Sequence, residues 1–182
     1  MDDIWPDTSH KERDAYYQAG HAVFALREPL EVIRVSIQKE DDASSWIDVT
    51  YPNLSQSRLN RSATARSDAK SVIRALLAGP AAQSRYSFGT PPAHIALPDF
   101  NLADPELLEA EPIWYAIALA TKISNDSPSL IRALWKRVAH LIQGDEVWAA
   151  IEAVAKALLI NGELAGCEVR DIARHAVSNA DR

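Results

Sequence analysis

The chain has 182 residues, 47% hydrophobic and 24% charged, and carries a net charge of -6. That length suits one domain, residues 1–182, with a sizeable core, and the composition is that of an ordinary soluble globular protein. The acidic balance, with a pI of about 5.3, argues against partnership with nucleic acid or an anionic membrane surface, both of which need positive charge.

Residues 1–8 are acidic, contain no apolar signal region, and read as a lead-in to the first helix. Ser9 with Glu12 three residues on is a capping-box pattern. Ala15, Tyr16, Ala19, Val23 and Leu26 then repeat at helical spacing, which predicts a helix over residues 10–27 that Pro29 stops. Ile33, Val35 and Ile37 alternate with polar neighbours, a half-buried strand. A polar turn over 39–45 leads to a partner strand at 46–51, so the two form a small hairpin between the first two helices. Residues 52–64 are polar, carry Arg58 and Arg61, and read as a mobile loop.

A second helix is predicted over 65–78, with Val72, Ile73, Leu76 and Leu77 on its buried stripe. Gly79-Pro80 should kink or break it, because an interior proline costs about 3 kcal/mol. Residues 90–103 form a proline-rich loop holding His94 and Asp99, and Asp104-Pro105 reads as a cap and first helical position. Three helices follow at about 105–123 (interrupted by Pro112), 127–143 opened by Ser127-Pro128, and 145–160 closed by Gly162, with a short last one at 168–177. The fold class is mainly α (α+β). Trp114, Trp135 and Trp148 are expected as core or interface anchors. The lone Cys167 excludes an internal disulfide and a cysteine-based zinc cluster, and it reads as a small hydrophobe.

The chemistry concentrates in the first helix, at Tyr17-Gln18-Ala19-Gly20-His21. It has the outline of His-Glu-x-x-His, in which two histidines one turn apart hold zinc and the glutamate takes a proton from the metal-bound water. Tyr17 is a phenol protonated at neutral pH, and Gln18 has no proton to accept or give up as a base. Only His21 remains. His10, His140 and His175 have no second histidine three or four residues away and read as structural.

The run AYYQAGHAVFAL resembles the active-site helix of FtsH-type ATP-dependent zinc metalloproteases, typically A-Y-H-E-A-G-H-A followed by apolar residues. EVIRVSIQ at 31–38 resembles the strand that follows it, and LLAGPAAQSRYSFG at 76–89 resembles the family's second helix. Order and spacing agree over residues 10–178. The resemblance implies a helical metalloprotease-like domain with one small hairpin. It also implies a third zinc ligand at Asp99, with Asp104 as runner-up, and a family glutamate where this chain has Gln83. There is no G-x-x-x-x-G-K-[ST] and no apolar run approaching the ~20 residues of a membrane span, so the expectation is a free-standing domain in the cytoplasm. With ligand, base and acid replaced at 17, 18 and 83, the expectation is a catalytically inactive pseudo-peptidase without cofactor. It would bind protein or peptide, and homo-oligomerisation stays open. The alternatives are an active zinc peptidase using His21 and Asp99, with His94 as a further ligand, and a helical interaction domain unrelated to proteases.

Overall fold

The computed structural model describes residues 10–28, 30–38, 46–52, 54–91 and 112–180. In chain order these form α1 (His10–Arg27), β1 (Glu31–Ser36), β2 (Trp46–Thr50), α2 (Gln56–Arg61) and α3 (Ala63–Phe88). After them come α4 (Pro112–Ile123), α5 (Ser127–Gln143), α6 (Asp145–Asn161), β3 (Glu163–Ala165) and α7 (Gly166–Ala180). The fold is mainly helical with a small antiparallel sheet. Among the described residues no helix is long and apolar enough to cross a membrane.

Helix α1 is the axis of the molecule. Its small residues, Ala15, Ala19, Gly20, Ala22 and Ala25, let neighbours approach from every side, so α3, α6, α7 and β1 all pack on it. Burial therefore runs almost without a break from Ala15 to Ala25, with Tyr17 half-buried, rather than along the single stripe that the apolar spacing predicts. Leu26 is only partly buried. Glu12 in its first turn and Arg27 in its last suit the helix dipole.

Helix α3 departs from expectation. It is one helix through Pro80, neither ending at residue 78 nor breaking at Gly79-Pro80. Pro80 has no N–H to give the Leu76 carbonyl, a local loss. Packing outweighs it, because Val72, Ile73, Leu76 and Leu77 before the proline and Ala81 and Ala82 after it are all buried in the same core. The segment 52–64 is likewise no plain loop. It contains α2, whose Leu59 is fully buried against Ala65, Ala69, Leu54 and Ile123. One apolar anchor in a polar stretch is enough to order it.

The sheet has three strands in the order β2-β1-β3, not the two of a hairpin. Val35 faces Ile47 on one side and Leu164 on the other. The register shifts between Val32 and Arg34, an irregularity that reverses the alternation. Val32, Val35 and Ile37 are buried while Ile33 is 48% exposed, contrary to the predicted Ile33/Val35/Ile37 face. Strand β3 is too short for periodicity to reveal. The turn before it needs Gly162, whose φ is +78° and where a Cβ would fall 2.3 Å from the Gln38 side chain.

α5 and α6 follow their start and stop signals closely, and α7 is longer at both ends than the expected 168–177. α5 is capped by Asp126, one residue before the expected Ser127, with the Asp126 carboxylate accepting from the Ser129 N–H at 3.1 Å. α4 is described from Pro112 to Ile123, and the expected helical residues 105–111 lie outside the described residues. Trp135 is buried, and Trp114 and Trp148 pack partly buried against the core. Cys167, expected as a small buried hydrophobe, is exposed. Ser9, His94, Asp99 and Asp104 lie outside the described residues.

Candidate functional site

The seam between α1 and α3 holds the degenerate motif. The two helices run antiparallel. Glu28 meets Arg74 at one end, His21 meets Ala75 and Gly79 in the middle, and Tyr16 stacks on Tyr86 at the other end. That register places Gln83, one turn beyond Gly79, at the level of Tyr17, which lies one turn before His21.

The helices cross closely because both carry glycine there. A Cβ on Gly20 would lie 2.6 Å from the Ala78 carbonyl oxygen and 2.7 Å from the Ala82 Cβ. A Cβ on Gly79 would lie 2.3 Å from His21 Nε2 and 2.5 Å from its Cδ2. The His21 imidazole thus occupies the volume in which a side chain at residue 79 would sit.

His21 is 3% exposed. Its Nδ1–H donates to the Ala75 carbonyl oxygen at 2.8 Å, which makes Nε2 the unprotonated nitrogen of a neutral ring. Nε2 is buried and has no hydrogen-bond partner among the described residues. Burial drives the His21 pKa down to about 4, against the opposing pull of the Ala75 hydrogen bond. The ring is neutral at physiological pH.

Around it the motif is aromatic and amide in character. The Tyr17 ring meets His21 edge-on, with centroids 4.7 Å apart at 76°. Gln18 is 3% exposed, and Gln83 is half-buried. Next along the seam, Tyr16 stacks on Tyr86 at 3.9 Å, and Arg85 lies over the Trp148 ring at 4.3 Å while donating to the Ile142 carbonyl. Burial, with Glu152, Tyr86 and Glu12 nearby, pushes the Tyr16 phenol up to about 12, so it stays protonated. At the far end Arg74 binds Glu28 through two hydrogen bonds, 2.5 and 2.6 Å, and also Ser71 at 3.0 Å. Burial alone would raise the Glu28 pKa, but the Arg74 and Ser71 hydrogen bonds outweigh it and hold the carboxyl below its ordinary value.

A tetrahedral zinc site needs three protein ligands and an open position. Among the described residues no three His, Cys, Asp or Glu side chains come together, and His21 Nε2 faces the backbone of α3 at Gly79 rather than an open cleft. The described residues by themselves do not make up a zinc site, and His94 and Asp99 lie outside them. The other described histidines stand apart on the surface: His10 beside Arg13, His175 bonded to the Asp171 carbonyl, and His140 exposed. The aromatic cluster and the Glu28–Arg74 pair were not foreseen from sequence. Tyr86 and Arg85 carry the only signal, an aromatic and a cation in the last turn of a helix whose middle is aliphatic.

No protein-family model matches this chain, and no curated protein is similar to it.

Proposed function

We propose that this chain is a peptidase-like domain of the FtsH type that has lost its catalytic chemistry and acts by binding a protein or peptide. The observation that carries the reading is His21. The one remaining motif residue is neutral, buried and pressed against Gly79, between a phenol at 17 and an amide at 18. A water-activating site needs that nitrogen exposed beside a base, and Gln18 cannot serve as one. The succession of helix, antiparallel strand pair and long helix over residues 10–88 is the one the resemblance implies, and it supports the reading. Peptide capture has a physical route. Among the described residues the outer edge of β2 pairs with no further strand, so its backbone groups can take an extended segment.

The test is cleavage of an unfolded protein by wild type and by Tyr17→His/Gln18→Glu, each with and without chelator. The reading expects an inactive wild type. Chelator-sensitive cleavage by wild type would end it.

One observation favours a second reading, an active peptidase with an altered metal site on His21 and Asp99. Donation of Nδ1–H to a backbone carbonyl is how ligating histidines are commonly oriented, leaving Nε2 for a metal. The close approach of Gly79 weighs against it. His21→Ala should then abolish both metal binding and activity, and unchanged metal content would dismiss that reading.

A further inference from the structure

On the side of α1 away from Gly79, a cavity of about 490 Å³ opens between α1, α6 and α7. Its floor is apolar: Val23 and Ala150 are buried, and Leu26 and Val177 are partly buried. Its rim is cationic, with Arg27 from the last turn of α1 and Arg170 and Arg174 from α7. Among the described residues no carboxylate lines it.

We propose that this groove binds a small amphipathic carboxylate, with its hydrocarbon on the apolar floor and its head group on the three guanidinium groups. Arg170 and Arg174 stand four residues apart, a like-charge spacing that destabilises a helix by itself. Among the described residues none of the three arginines makes an ion pair, although the chain as a whole is acidic and Asp171 adjoins them in sequence. Guanidinium groups match a carboxylate two bonds at a time. The basic cleft at the start of α3 differs in kind: Arg61 and Arg66 there already donate to the Ser57 and Leu59 carbonyls, and the cleft has no comparable apolar floor.

Size separates a small ligand from a macromolecule. The cavity lies within the roughly 300–1,000 Å³ typical of small-molecule sites. A stable protein interface needs about 800 Å² on each partner, whereas five apolar side chains, Val23, Leu26, Ala150, Ala173 and Val177, line this groove.

The probe is decanoate, titrated into the full chain below its micelle concentration by calorimetry, with methyl resonances followed by NMR. One-site saturable binding is expected, with shifts at the Val23 and Val177 methyls. Decyltrimethylammonium, which has the same tail and the opposite charge, should not bind. Arg170→Gln/Arg174→Gln should weaken decanoate by about tenfold or more, the scale of a lost charge-assisted contact. Ala173→Trp, which keeps the charges and fills the half-exposed groove wall, should abolish binding. Equal binding of the cationic amphiphile, or decanoate binding untouched by both variants, would overturn the proposal. So would flotation with phosphatidylglycerol vesicles, or saturable capture of an acidic peptide, when free decanoate does not bind.

Discussion

The two sides of α1 have opposite fates. Toward α3 the helix presents Gly20 and His21, and α3 answers with Ala75, Ala78, Gly79 and Ala82, so the backbones close together and water has no place between them. Toward α7 the same helix presents Val23, Leu26 and Arg27, and α7 answers with Ala173 and two arginines that line an open groove. One face carries the residue that looks chemical and is sealed. The other carries no recognisable motif and is open. A chemically suggestive side chain becomes a site only if what crosses it leaves room for a reactant, and here small residues on the crossing helix decide.

The largest expected effect comes from wedging the sealed side open. Gly79→Leu should destabilise the fold by about 3 kcal/mol, the upper end for overpacking a filled core. Helix propensity alone would predict a gain of about 1 kcal/mol from replacing a helical glycine. Chemical denaturation separates the two signs, and a stabilised variant would mean that His21 moves aside freely.

The second test uses protons. The His21 pKa lies near 4 when folded against 6.5 ordinarily, so its contribution to stability is complete above pH 6.5 and is lost as pH falls toward 4. At 1.36 kcal/mol per unit the loss is about 3 kcal/mol at most. His21→Leu should flatten that part of the stability-versus-pH curve, measured by denaturation at a series of pH values. An unchanged slope would mean that the ring is hydrated in solution.

A smaller effect is expected at the end of the seam. Arg74→Met leaves Glu28 half-buried without its two-bond partner and should cost about 2 kcal/mol near neutral pH. Because the Glu28 pKa is held below its ordinary 4.5, the difference from wild type should shrink as pH falls below that value. Smallest of all is the exposed Arg34–Glu163 pair at 3.3 Å, where Glu163→Gln should cost under about 1 kcal/mol and less in high salt.

Much of the fold was legible where local signals act alone. The bounds of α1, α5 and α6 follow from caps, prolines and glycines a residue or two from where they fall. The misreadings share one cause, contacts between residues far apart in sequence. Pro80 breaks helices in isolation, yet residues on both sides of it are buried in one core. Ile33 alternates correctly with Val35 until the register shift turns it outward. The three residues of β3 acquire meaning only beside β1. At the candidate site, His21 stood out in sequence, but the Ala75 carbonyl that holds its tautomer lies 54 residues away. Gly79, read as a helix breaker, is instead the surface on which the imidazole rests.

His21 packs against α3 at Gly79, and the proposed reading gives it a packing role rather than metal chemistry. Elemental mass spectrometry of the tag-free protein, after zinc loading and exhaustive dialysis, addresses it most directly. Zinc far below one ion per chain, unchanged in His21→Ala, is the expected result. Near-stoichiometric zinc that disappears in His21→Ala would contradict it.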